Sequence, residues 1–155
     1  MLDRFEHAVW LYPAALALHV AEEAPGFTRW ARRHASPTYT QRDFVSINAA
    51  GLAMTAAGTW AVSRWPSRPV VFAYFAGILT QQALWNALFH AGTALAWREY
   101  SPGLWTALAQ VLLWRRLSNR ARRERLITRN GELAAALIGC AIHAAAVRQQ
   151  VFRRG

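Results

Sequence analysis

Residues 69–97 read PVVFAYFAGILTQQALWNALFHAGTALAW, a stretch of 29 residues without Asp, Glu, Lys or Arg. A helix that crosses a hydrocarbon core of about 30 Å needs roughly 20 residues, because each residue adds about 1.5 Å. The stretch is rich in alanine and leucine and shows no alternation of polar and apolar residues, which favours a helix over a barrel strand. It therefore predicts a helix long enough to cross a membrane.

Four more charge-free runs follow the same pattern, at residues 8–21, 44–63, 100–114 and 133–147. Prolines and glycines stand near their ends, where they begin or end helices. We expect one all-α domain over residues 1–155, a polytopic transmembrane bundle of about five helices near 7–24, 44–64, 69–98, 103–124 and 132–152. The fourth helix is short enough to be re-entrant. A soluble all-α core is the alternative architecture.

A short additional helix is predicted over residues 27–35. Phe27, Trp30, Ala31 and His34 fall on one face of such a helix, and the arginines fall elsewhere. A helix of this kind would lie in the membrane interface. A solvated basic loop explains the same stretch equally well.

The formal net charge of +10 comes from 18 arginines, no lysine and 8 acidic residues. Nucleic-acid-binding domains often carry such a charge, but here the arginines crowd the ends of the apolar runs. The densest cluster lies within residues 115–129, where it favours a cytoplasmic position and contact with anionic lipid. We therefore expect membrane lipid, and no nucleic acid, among the partners. The orientation of the N-terminus stays open.

Ionisable residues inside the apolar runs are candidates for function, because such groups are costly in a membrane. His19 precedes Glu22 by three residues and Glu23 by four, so both carboxylates can lie beside the imidazole, about 100° apart around the helix. The alternative is that both glutamates are solvated at the end of the helix.

A polar stripe follows the third predicted helix, where Gln82, Asn86 and His90 stand four residues apart and share a face. This face must point into the bundle, because lipid cannot satisfy its hydrogen bonds. If the first, third and fifth helices run the same way, His19, His90 and His143 lie within about 6 Å of the same depth.

Three local patterns occur in order along the chain: His19-Val20-Ala21-Glu22-Glu23, Asn86 to His90, and Tyr100-Ser101-Pro102-Gly103. Together they resemble the HXXEE-motif family of small bacterial integral membrane proteins, whose function is uncharacterised. The resemblance covers about residues 8–147. It implies a multi-pass protein of the bacterial cytoplasmic (inner) membrane. Its marked residues match His19, Glu22, Glu23, His90, Tyr100, Pro102 and Gly103, whereas Gln82 and His143 are not carried over from it.

The first functional hypothesis is a metal-dependent enzyme acting on an apolar or lipid-like substrate. His19, one glutamate (Glu23 or Glu22) and His90 form the two-imidazole, one-carboxylate set of many catalytic zinc and non-haem iron sites. The other glutamate would act as general base. His143 or Asn86 would complete the coordination, Gln82 would support it, and Tyr100 would lean over the site.

Two other hypotheses remain open. A metal-free glutamate–histidine pair can move protons, as an isomerase, cyclase or hydratase of a lipid-like molecule would require. A buried His/Glu cluster can also serve binding or structure without catalysis, and a homo-oligomer is compatible with that role.

Overall fold

The computed structural model describes residues 4–151, and helices make up nearly all of this part of the chain. No strand occurs among these residues, which confirms the all-helical architecture. The helices are α1 (Phe5–Ala8), α2 (Leu11–Glu23), α3 (Phe27–His34), α4 (Gln41–Arg64), α5 (Arg68–Tyr74), α6 (Asn86–Trp97), α7 (Leu104–Arg123) and α8 (Arg129–Gln150). Residue 152, the last of the predicted fifth helix, lies outside the described residues.

Two long helices begin earlier than the charge-free runs indicate, because polar residues cap them. Thr40 and Asp43 form a reciprocal capping box that starts α4 at Gln41 rather than near residue 44. The Thr128 hydroxyl accepts a hydrogen bond from the Gly131 amide and starts α8 at Arg129. The first turn of each helix is therefore more polar than the run that follows it.

The central charge-free stretch is helical from α5 to α6, but it is not a uniform α-helix. Two π-helical segments, Phe75–Leu79 and Gln81–Trp85, connect α5 to α6. Gly139 of α8 packs directly on this region, since a Cβ at Gly139 would lie 3.2 Å from the Gln81 backbone nitrogen. The single helix expected over 69–98 is thus interrupted at the place where α8 approaches most closely.

The segment Phe27–His34 forms the helix α3, so the alternative of a basic loop is wrong. Its apolar face is buried, with Phe27, Trp30 and Ala31 packed against Tyr39 and Phe44. The main apolar core is separate, and it lies where α1, α5, the π segments, α7 and α8 meet.

Two of the described helices, α4 and α8, are long and apolar enough to cross a membrane by length and composition. Most of their side chains are not buried within the protein. The helix predicted over 7–24 is divided, because the chain turns between α1 and α2 and leaves 13 residues in α2. The helical content is therefore confirmed, whereas the number of membrane crossings stays a prediction.

Candidate functional site

His19, Glu23 and His90 meet in the interior of the protein, although 67 residues separate Glu23 from His90 in the chain. The Glu23 Oε1 atom lies 3.5 Å from Nε2 of His19 and 3.4 Å from Nε2 of His90. All three residues are buried. Of the described residues, they form the one group of three or more His, Cys, Asp or Glu side chains with potential ligand atoms within 4.8 Å of one another.

The distances in this cluster match those between ligands of one metal ion. In a tetrahedral site with bonds of about 2.0–2.1 Å, neighbouring ligand atoms are about 3.3–3.4 Å apart. The two separations from Glu23 fall close to that value. The Nε2 atom of His90 is buried and makes no well-formed hydrogen bond, although Glu23 Oε1 lies 3.4 Å away. It is therefore available to a metal ion.

Thr106 orients the His19 imidazole. Its hydroxyl lies 3.0 Å from Nδ1 of His19 and donates to a Glu22 carboxylate oxygen at 2.5 Å. A hydroxyl has one hydrogen, and the charged acceptor at 2.5 Å is preferred over the Gly103 carbonyl at 3.2 Å. Nδ1 of His19 must therefore donate to Thr106, which leaves Nε2 unprotonated in the neutral ring and directed at Glu23.

Glu22 holds the beginning of α7. Its carboxylate accepts hydrogen bonds from the backbone amides of Trp105 and Thr106, at 3.1 and 2.8 Å. These amides belong to the first turn of α7, where free N–H groups and the helix dipole favour a negative charge. The Tyr100 hydroxyl donates to the same carboxylate. Glu22 thus positions α7, and Thr106 with it, rather than joining the cluster.

The contact with Glu22 also affects Tyr100. Partial burial, and after it the hydrogen bond to the Glu22 carboxylate and its charge, raise the pKa of Tyr100 to about 12. The phenol therefore stays protonated as a donor throughout the physiological range. It lies over the turn before α7, but it contacts Glu22 and not the His19–Glu23–His90 cluster.

Gly103 makes room for the cluster. Its φ of +98° is in the left-handed region that favours glycine. A Cβ at this position would lie 2.7 Å from Cε1 of His19 and 2.8 Å from Cγ of Glu23. The turn before α7 therefore packs directly against the imidazole and the carboxylate, and this close approach requires glycine at position 103.

The His90 ring is oriented by the same turn. Its Nδ1 atom lies 2.9 Å from the Ser101 hydroxyl, which is buried and within 3.2 Å of the Thr93 hydroxyl. Because Ser101 occupies Nδ1, the ring presents Nε2 to Glu23. Oriented histidines of this kind are typical of metal sites, in which the second ring nitrogen has a protein partner.

The remaining predicted residues line a cavity of about 460 Å³ beside the cluster. The Asn86 amide donates to Nε2 of His19 at 2.9 Å, and Gln82 accepts from the Thr55 hydroxyl. His143 lies on the cavity wall, next to Phe89, and is not part of the group of ligand atoms formed by His19, Glu23 and His90.

Two residues that orient the histidines, Thr106 and Ser101, were not predicted from the sequence. Ser101 stands inside the Tyr-x-Pro-Gly pattern, so its position was marked although its role was not. Thr106 follows Gly103 by three residues and is a polar residue in the first turn of a predicted helix. Such a position could have indicated a functional side chain.

The chain matches the model of a described protein family. The model of a family described as "Protein of unknown function with HXXEE motif" matches residues 10–115, about two thirds of the chain. The match contains His19, Glu22, Glu23, His90, Tyr100 and Thr106. No curated protein and no solved structure matches the chain significantly.

Proposed function

The chain belongs to the HXXEE-motif family, and we propose that its buried His19–Glu23–His90 cluster binds a divalent metal ion and makes the protein a metal-dependent membrane enzyme. The observation that carries this proposal is the position of Glu23 Oε1, at metal-ligand spacing from two Nε2 atoms. The unpartnered Nε2 of His90 supports it. A bound cation would give that atom a partner and neutralise the buried carboxylate.

Zn²⁺ or Fe²⁺ suits this ligand set best. Two imidazoles and one carboxylate hold catalytic zinc and non-haem iron, and both leave positions open for substrate. Asn86 lies beside His19 Nε2, and turning its amide over would present the oxygen as a further ligand. A bound metal would supply Lewis-acid chemistry. Thr106 and Ser101 would keep the two imidazole rings oriented toward it.

We place the protein in the bacterial cytoplasmic membrane, as a multi-pass protein. Large apolar side chains are exposed on many helices, among them Leu18 of α2, Leu95 of α6, Leu112 of α7 and Leu137 of α8, which are 62–79% exposed. Soluble monomers rarely expose so much apolar surface on several sides. With α4 and α8 as candidate spans, this distribution supports lipid as the surrounding solvent.

Elemental analysis of the protein, gently purified in detergent, tests the metal. We expect about one equivalent of Zn or Fe, and less than about a tenth in His19→Ala and in His90→Ala, because each change removes one of three ligands. His7→Ala is the matched control, since His7 is exposed and is not part of the cluster, and it should retain the metal. A wild-type protein with less than about a tenth of an equivalent, or equal loss in His7→Ala, contradicts the proposal.

One observation favours metal-free acid–base chemistry as a second candidate. The Asn86 amide already satisfies Nε2 of His19, and Glu23 is within ion-pair distance of both histidines. Such a triad can move a proton on a lipid-like molecule, as an isomerase, cyclase or hydratase does. This candidate predicts full folding without metal, and co-purified lipid that is lost in Glu23→Gln.

A further inference from the structure

The cavity beside the cluster has the shape of a cleft between the two candidate spans. Its volume of about 460 Å³ is within the usual range of about 300–1,000 Å³ for small-molecule sites. One wall comes from α4, including Gly51 and Met54, and the opposite wall comes from α8, including Ile142 and His143. At its inner end it reaches His19 and Glu23.

Residues of both α4 and α8 line the cleft. These helices are not among the pairs that pack closely against each other, whereas both approach the central helix or its neighbours. Met54 and Ile142, on the two walls, are exposed. The entrance therefore lies between the most membrane-like surfaces of the protein, and a molecule dissolved in lipid could enter without crossing water.

Among the described residues, no permanently positive side chain lines the cleft. The chain has 18 arginines, yet none of the described ones lines the cleft. Five of its polar residues are neutral amides: Asn48, Gln81, Gln82, Asn86 and Gln150. Phosphate and carboxylate groups are usually recognised by arginine, so nothing in the lining outside the cluster would pair with an anionic headgroup.

His143 is the second unpartnered histidine of this region. Its Nε2 atom is buried and without a hydrogen-bond partner, and its ring lies on the cleft wall. A neutral imidazole can donate to a carbonyl or accept from a hydroxyl. Because His143 does not join the metal-ligand group, a bound molecule is the natural partner for this atom.

We propose that the substrate is an uncharged amphiphile, a hydrocarbon chain with a hydroxyl or carbonyl group, which enters from the bilayer between α4 and α8. Its apolar chain lies along Gly51, Met54 and Ile142, and its polar group reaches His143 and Asn86. This inference rests on the proposed function for what happens at the cluster, but the cleft and its preference for uncharged molecules stand on the lining alone.

The test compares two probes with the same chain and different headgroups. Radiolabelled 1-oleoylglycerol and oleate are titrated into the full-length protein in detergent micelles, and bound probe is counted. Gly51→Leu blocks the cleft without a backbone clash, because nothing lies within 4 Å of a Cβ at this position. Gly92→Leu is the matched control, since Gly92 is also helical with open space around it and does not line the cleft.

We expect the wild type to bind 1-oleoylglycerol at least about tenfold more tightly than oleate, a difference that corresponds to one uncompensated charge at the cleft. Gly51→Leu should weaken binding of 1-oleoylglycerol about tenfold or more, and Gly92→Leu should leave it within about twofold. His143→Ala should also weaken it, through loss of the polar contact.

Two results would overturn this inference: tighter binding of oleate, or unchanged binding of 1-oleoylglycerol in Gly51→Leu. Metal content, measured on the same preparations, separates this outcome from failure of the metal proposal. If the metal is absent but the cleft selects 1-oleoylglycerol, only the metal is wrong. If Gly51→Leu keeps its metal and still binds the probe as the wild type does, only the cleft is wrong.

Discussion

Glu22 and Glu23 are neighbours in the sequence, but their carboxylates lie in different surroundings. Successive residues of a helix point about 100° apart, so only one of the two can face the histidines. Glu23 does so and is buried, whereas Glu22 turns toward the first turn of α7. The two positions of the motif therefore have separate roles: one holds the site's charge, and the other fixes the helix that orients His19.

Thr106 connects these two roles, and its replacement tests the connection. Thr106→Val keeps the shape of the side chain but removes the hydroxyl between Glu22 and His19. We expect metal affinity to fall about 10–100-fold, as it does when the hydrogen-bond partner of a metal-binding histidine is removed. Competition with a chelator of known affinity measures the change.

Thr106→Ser is the control for that experiment, because it retains the hydroxyl, and its affinity should stay close to that of the wild type. Thermal unfolding of the metal-free proteins separates positioning from folding. If Thr106→Val and the wild type bind metal equally well, Thr106 does not position His19.

The contact between Tyr100 and Glu22 predicts a dependence of stability on alkaline pH. The pKa of Tyr100 is raised from its ordinary value near 10 to about 12. The protonated phenol therefore stabilises the fold fully below about pH 10, and this contribution is lost as the pH rises to about 12. Tyr100→Phe should lower Tm at pH 8, and the difference from the wild type should shrink between about pH 10 and pH 12.

The difference in Tm between the two proteins at each pH removes the contribution of the other tyrosines, which titrate in both. A difference in Tm that stays constant from pH 8 to 12 would mean that Tyr100 does not donate to Glu22. A difference that widens would contradict the direction of the pKa shift.

At the scale of elements, the approach of α8 to the π segments positions the cavity. Gly139 allows this approach, because its missing Cβ would lie 3.2 Å from the Gln81 nitrogen and 3.4 Å from the Ala76 oxygen. These are backbone atoms, which cannot rotate away as the end of a flexible side chain can. The distance between α8 and the central helix thus depends on one small residue.

Gly139→Leu should therefore force α8 away from the π segments. We expect a loss of about 1–3 kcal/mol in the free energy of unfolding, as is typical of overpacking. Thermal or denaturant unfolding in detergent measures it. Gly92→Leu provides the comparison, since open space surrounds Gly92, and it should unfold like the wild type. Equal stability of the two variants would show that the close approach is not required.

At the scale of the whole molecule, apolar side chains are exposed around the bundle while the arginines gather at its connections and ends. Trp105, Leu112 and Leu137 are each more than 60% exposed. Water would solvate such a surface poorly, whereas lipid chains would cover it. The same distribution explains a mean hydropathy of only +0.06, because apolar helical segments without charged residues are averaged with arginine-rich segments.

Membrane fractionation tests this placement. After the host cells are broken and the membranes are washed with alkaline carbonate, we expect the protein in the membrane pellet. Carbonate removes proteins held by charge, whereas this protein would be held by apolar side chains inserted in lipid. Dodecyl maltoside should then release it. Recovery in the carbonate supernatant would contradict an integral membrane position and would favour the soluble all-α alternative.

The helices and the candidate ligands His19, His90 and one of the two adjacent glutamates could be predicted from local patterns in the sequence. Charge-free runs bounded by prolines, glycines and caps are local signals, and helices form from local contacts, so α4, α7 and α8 could be predicted within a few residues. The four-residue spacing of His19 and Glu23 is also local. It places both side chains on one face whatever the rest of the chain does.

Tertiary packing selected Glu23 rather than Glu22 for the cluster and brought Thr106 and Ser101 to the two histidines. His90 contacts Glu23 across 67 residues, Thr106 contacts His19 across 87 residues, and Ser101 contacts the His90 ring. Such contacts depend on packing that no local period encodes. Packing also put His143 on the cleft wall instead of in the cluster, and Gly139 lies against the π segments of the central helix. Helical periodicity indicates on which face of a helix a side chain lies. The residues that contact this face depend on how the helices pack.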